Sequence, residues 1–356
     1  MNHEISQDSY AQALKRSQKI EQALAEKPEQ FRVLSGDRPT GSLHIGHYFG
    51  TLKNRVRLQN LGVDTWVLVA DYQVITDREV LGDVRGNVLQ LLTDYLATGL
   101  DPEKTTIFTH SAVPALNQLM LPFLSLVSAP ELERNPTVKA EMQAAGKTAL
   151  GGLLLTYPVH QAADILFCHG NLVPVGKDQL PHIEQTRLIA RRFNERYAGG
   201  ENYFPEPDAL LTRTPVILGL DGDKMSKSRN NTVMLRMTEA ETAKQIKRAK
   251  TDSDRNITYD PENRPEVANL LTIAAECLER TPESIAEEIG DKGAGTLKML
   301  CADALNAHLA PIRARRAELE NNPDYLLSVL RAGNERANEE ANRTLAAVRE
   351  HMGMVY

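Results

Sequence analysis

Two short clusters of basic side chains in this sequence have the spacing of a phosphate-handling site. The first is His44-Ile45-Gly46-His47, which follows the turn GDRPTG and opens a helical pattern. Residues three apart share one face of a helix. At a first turn that face meets backbone N–H groups and the positive end of the helix dipole. Two imidazoles there can donate hydrogen bonds to a phosphate as charge builds on it. Gly46 between them offers bare backbone to a flat base. Two histidines alone are poor grounds for a metal, so none held by the protein is expected. An inert helix cap would also account for the pair.

The second cluster, Lys224-Met225-Ser226-Lys227-Ser228, follows Gly219 and Gly222. Two lysines three apart on a glycine-flanked loop can close over a triphosphate and neutralise departing pyrophosphate. Lysine suits this work as a compact charge on a flexible stem. Standing alone, the loop would read as a solvated turn.

Something must bring these clusters together. Strand-like runs occur at 31–36, 65–71, 105–110, 171–176 and 214–221, with helical patterns between them at 45–61, 79–99, 117–127, 140–149, 156–167 and 180–197. Short apolar strands alternating with longer helices predict an α/β fold, a Rossmann-like doubly wound parallel sheet. Both basic clusters then fall beyond carboxyl ends of strands, at one sheet edge, where such folds bind ligands. After about residue 235 the strand signals stop, predicting a C-terminal all-α domain. The expected organisation is an added helix over 1–30, a catalytic domain over 31–234 with a helical insertion at about 112–150, and a helical domain over 235–356.

Bulk properties narrow the function without naming it. The chain has 356 residues, 42% hydrophobic and 25% charged, with a net charge of −6. That charge argues against indiscriminate coating of nucleic acid but not against a nucleic-acid substrate. Cys168, Cys277 and Cys301 are far apart and form no CxxC pair. They suggest neither a disulfide framework nor a structural metal, and point to a reducing cytoplasm. The polar, acid-containing N-terminus is unlike a signal or transit peptide.

Together, HIGH at 44–47 and KMSKS at 224–228, on an α/β domain with helices after it, resemble the class I aminoacyl-tRNA synthetases. The segments 156–197 (TYPVHQAADILF…VPVGKDQ) and 249–273 (AKTDSDRNITYDPENRPEVANLLTI) resemble the tryptophanyl-tRNA synthetase family. The resemblance runs from about residue 31 to the C-terminus. It implies catalysis by His44, His47, Lys224 and Lys227. ATP would be bound by these residues with Arg38, Gly46, Gly176, Asp178, Gln179, Met225, Ser226 and Ser228. Gly36, Tyr157, Gln161, Asp164, Val173, Val175 and Gln179 would surround tryptophan, Asp164 accepting from the indole N–H and Tyr157 and Gln179 holding the α-amino group. A carboxylate in the apolar run AADILF is costly to bury without a partner or purpose; a salt bridge to Arg187 is the structural alternative. The family further implies Mg²⁺ carried between ATP phosphates, tRNA(Trp) as acceptor, a helical domain that reads the anticodon, and a homodimer. Arg38 and Gln161 stand where many members have glutamine and methionine. The rival readings are a tyrosyl-tRNA synthetase and a paralogue that binds nucleotide or RNA without charging. Basic runs at 244–250 (KQIKRAK) and 313–316 (RARR) are solvated helix faces or tRNA contacts.

Overall fold

A computed structural model describes residues 7–75, 82–139, 151–211 and 216–356. The helix expected at 140–149 lies outside them. Five strands, β1 (Arg32–Asp37), β2 (Asp64–Val69), β3 (Thr105–Thr109), β4 (Leu172–Val175) and β5 (Asp208–Leu211), form one sheet in the order β3-β2-β1-β4-β5. Every pairing is parallel. β2 and β3 are almost wholly buried, as expected of near-continuous apolar strands covered on both faces. From β1 the chain steps to β2 on one side and later to β4 on the other. The strand order therefore reverses between β1 and β4.

The fifth strand is not where the sequence suggested. It lies at Asp208–Leu211, and the described part of 214–221 carries only an isolated antiparallel bridge, Leu218 to Lys224. The apolar run VILGL was misread because its backbone is satisfied by turns and a helix side chain, not by sheet: Gly219 N donates to Asp223 O and Leu220 N to Asn231 O. Asn269 accepts from Leu218 N (2.8 Å) and donates to Leu218 O (3.1 Å).

Both sheet edges are covered. Ser17 Oγ, on the helix Gln7–Glu26, donates to Ala209 O and accepts from Leu211 N on β5. At the other edge the helix Pro323–His351 lies against β3, with Asn334 Oδ1 accepting from Thr109 N at 2.9 Å. Gly333 makes this contact possible, because a Cβ there would sit 1.8 Å from Ile107 O. Gly333→Ala is expected to lose about 1–3 kcal/mol through overpacking, read as a lowered urea midpoint at unchanged slope.

The remaining helices, among them Glu239–Lys247, Pro265–Leu278, Pro282–Ile289 and Ala294–Glu320, pack beside the sheet. Leu270, Leu305 and Leu309 belong to the same apolar core as Val67, Leu91 and Ile107. The RARR run serves this union. Arg315 donates to Ala97 O and Arg316 pairs with Asp94, while Arg313 bonds Asn306 and Thr242. Neither sequence reading of that run, solvated face or tRNA contact, described these internal bonds. Among the described residues no helix is long and apolar enough to cross a membrane.

Candidate active site

A cavity of about 350 Å³ opens where the strand order reverses, beyond the carboxyl ends of β1 and β4. This is the place a doubly wound sheet reserves for its ligand. Gly36, Arg38, Tyr157, Gln161, Asp164, Val173, Val175, Gly176 and Gln179 all line it. Nine residues chosen from sequence thus line one cavity. Asp178 is not among the lining residues; it sits in the exposed turn after β4, accepting from Gln179 Nε2 at 3.1 Å. Gly36 is required for a reason beyond the cavity: a Cβ would come within 2.6 Å of Leu68 O on β2.

Asp164 is 2% exposed, on the helix Gly152–Leu166. Its partner is His110, Nε2 to Oδ1 at 2.8 Å. The Arg187 alternative is overturned, since Arg187 pairs with Glu206 and Asp208. Tyr157 reaches His182 with its hydroxyl, 2.9 Å from Nε2.

The floor contains groups that sequence reasoning passed over. Arg55, 1% exposed, donates to Asp37 Oδ2 (2.6 Å) and Ser35 Oγ (2.8 Å), and Tyr95 donates to the same Asp37 oxygen at 2.7 Å. Burial would raise the Asp37 carboxyl, but Arg55 and Tyr95 hold it below its ordinary value. In the sequence nothing local marks Arg55 within the helical pattern 45–61, although Asp37 directly follows the strand-end glycine. Thr51, another lining residue, donates to His47 O at 2.9 Å and so joins the cavity to the histidine cluster.

That cluster opens the helical stretch 45–61, which contains a five-residue π turn at Tyr48–Leu52. Such turns often mark functional sites. The His44 and His47 rings lie 3.7 Å apart, centroid to centroid. Burial, then His47 and Lys227, push His44 down to about 3. Burial also lowers His47, more than nearby Asp37 raises it. Both rings are therefore neutral at pH 7, each with one N–H to donate.

The lysine loop meets them from the far end of the sequence. His44 forms an antiparallel bridge with Met234, and Ile45 N donates to Val233 O at 2.9 Å. Lys227 Nζ lies 3.1 Å from Thr40 O, ahead of the histidines. Met225 Sδ lies 3.2 Å from where a Cβ on Gly46 would be, so the loop packs closely over the bare backbone there. Buried Asn231 shapes the loop, accepting from Ser226 N and donating to Asp221 Oδ1 and Lys224 O. The two clusters, 177 residues apart in sequence (224 − 47), are brought to one sheet edge as expected, though among the described residues no strand directly precedes the second. Lys224 ends the bridge to Leu218, and Ser228 lies in the turn Lys227–Arg229.

Such a site pairs a half-apolar cavity, in which Asp37 is bound by Arg55 and Tyr95 and Asp164 stands in the wall, with a cluster of neutral imidazoles and lysines. It can hold an aromatic donor at one end and a polyphosphate at the other. Known proteins agree. The family model for class I tRNA synthetases (W and Y) matches residues 26–310. A tryptophan–tRNA ligase of Lactococcus lactis is 42% identical, the match covering 91% of this chain and 98% of that one. Its counterpart from Treponema pallidum is 41% identical over 91% and 97%. In structure, the tryptophanyl-tRNA synthetase of Campylobacter jejuni complexed with ADP and tryptophan superposes with a TM-score of 0.77 at 31% identity, covering 91% of this chain and all of that one. By these matches the chain belongs to the class I tRNA synthetases of the W and Y group, among the tryptophan–tRNA ligases.

Proposed function

We propose that this chain activates L-tryptophan with ATP and transfers it to the 3′ end of tRNA(Trp). The observation that carries the reading is the buried Asp164 carboxylate in the wall of a cavity that adjoins the His44–Lys227 cluster. Indole is a donor with no acceptor, so a buried carboxylate beside apolar walls selects for it. Val173, Val175 and Gln161 flank the ring, while Tyr157 and Gln179 hold the α-amino group. Gly36 lies beneath the ring.

In the first step a tryptophan carboxylate oxygen attacks the α-phosphorus. The bond from that phosphorus to the bridging oxygen breaks, and pyrophosphate leaves with the electron pair. Positioning and charge neutralisation carry such a transfer. His44 and His47 donate neutral N–H bonds to the phosphates; Lys224 and Lys227 supply positive charge on the leaving side. Arg38 at the cavity rim faces the carboxylate or a phosphate. Gly46 and Met225 border the adenine, and Gly176, Asp178 and Gln179 border the ribose, with Ser226 and Ser228 completing the loop. ATP enters as its magnesium complex, the metal carried between its phosphates. In the second step the acyl group moves to the terminal adenosine of the tRNA, whose anticodon the C-terminal helices read. A cytoplasmic homodimer completes the proposal.

Tryptophan-dependent ATP–pyrophosphate exchange, with tyrosine as control, tests it. Exchange is expected with tryptophan and at least about 10⁴-fold weaker with tyrosine, the discrimination available to a site built around one hydrogen bond. Equal exchange with tyrosine, or none with tryptophan, defeats it.

A further inference from the structure

Asp164 is not a lone carboxylate. His110, at the carboxyl end of β3 and fully buried, holds its Oδ1 at 2.8 Å. His160 stacks on the His110 ring with centroids 4.3 Å apart. Asn117 then binds both histidines, accepting from His160 Nε2 at 2.8 Å and donating to the His110 carbonyl at 2.7 Å. Ring, backbone and stacking face of His110 are all fixed.

We propose that His110 is the positioning residue for the indole acceptor, fixing which oxygen of Asp164 faces the substrate. This rests on the role given to Asp164 above. The tautomer follows from what surrounds the ring. His110 Nδ1 is buried with no hydrogen-bond partner among the described residues. An N–H on that atom would go unsatisfied, which costs more than an unused lone pair. The ring N–H therefore sits on Nε2 and is donated to Asp164. One oxygen of the carboxylate is then occupied, and the other is left for a donor arriving from the cavity. His110, His160 and Asp164 do bring ligand-type atoms within 4.8 Å of one another. Both Nε2 atoms are already engaged, by Asp164 and Asn117, which makes the cluster a hydrogen-bonded brace rather than a cation site.

The experiment compares kcat/KM in pyrophosphate exchange for tryptophan and for β-(3-benzothienyl)alanine, which has the same shape without the N–H. His110→Ala is expected to lower the tryptophan value about 10- to 100-fold, the worth of a hydrogen bond to a charged group, and the analogue value less than about threefold, because the analogue never used that bond. His110→Gln places an amide N–H near the Nε2 position and should restore tryptophan to within about fivefold. His110→Asn, one methylene shorter, should not. If the alanine variant does not fold, the glutamine–asparagine pair decides alone. An equal loss for both substrates, or equal behaviour of glutamine and asparagine, overturns the proposal. Asp164→Asn separates the two claims. If it keeps the preference for tryptophan, the role of Asp164 itself fails. If it abolishes the preference while His110→Ala keeps it, only the role of His110 fails.

Discussion

Lys227→Ala is expected to lower kcat for tryptophan-dependent pyrophosphate exchange by about 10²–10³-fold while leaving the tryptophan Kd within about twofold. The first figure is the usual cost of removing one preorganised group that meets developing charge. The second follows from position: the Lys227 ammonium lies by Thr40 and the His44–His47 pair, while the cavity wall around Asp164 is built from other elements. Removing an interaction made chiefly in the transition state lowers kcat and kcat/KM together. Stopped-flow pyrophosphate exchange and equilibrium tryptophan binding separate the two quantities. A rate within threefold of wild type would remove Lys227 from the machinery.

The second large effect concerns a residue just behind the histidine turn. Asp94, on the helix Val84–Ala97, has no exposure and accepts from Leu43 N at 2.7 Å while pairing with Arg316. Burial pushes its carboxyl up to about 6 despite Arg316. Leu43 directly precedes His44, so one carboxylate ties the histidine turn to the C-terminal helix Ala294–Glu320. Arg316→Met strands that charge and is expected to cost about 3–5 kcal/mol, the range for breaking a buried pair. Urea unfolding reads this directly. Asp94→Leu with Arg316→Met should recover most of the stability, since an apolar pair replaces the ions. It should not recover exchange activity, because Leu43 N–H loses its acceptor. Asp94→Asn with Arg316→Met should recover both. If the leucine double variant is as active as the asparagine one, the tether has no catalytic consequence.

The sheet and its clusters were legible for specific reasons. TWVLVAD and TIFTH read as strands because buried parallel strands are continuous apolar runs, a pattern their surroundings do not disguise. HIGH and KMSKS were legible because few other arrangements need those residue types at that spacing. The cavity wall was reached through family resemblance, and the structure gathers all of those residues except Asp178 into the cavity lining. What escaped were partners defined only in three dimensions. His110 is one polar residue ending a strand, and nothing local distinguishes it from a turn histidine; its place at a carboxyl end was the available signal. Arg55 and Arg316 sit in charged helical runs, where solvation is the default reading, and only packing reveals them as buried. The strand expected at 214–221 failed for the converse reason: an apolar run found its backbone partners in nearby turns and in Asn269, a side chain about fifty residues away in sequence.

The covered edges of the sheet also set an order of assembly. Residues 7–26, which seal β5, are synthesised before any strand exists, so that edge can close as soon as β5 forms. The β3 edge must wait for Gly333 and Asn334, more than two hundred residues after Thr109. Through that interval β3 presents open backbone, the surface on which chains pair wrongly with one another. Nascent chains stalled before residue 323 should thus be the aggregation-prone species on the ribosome, and emergence of the helix Pro323–His351 the step that closes this edge.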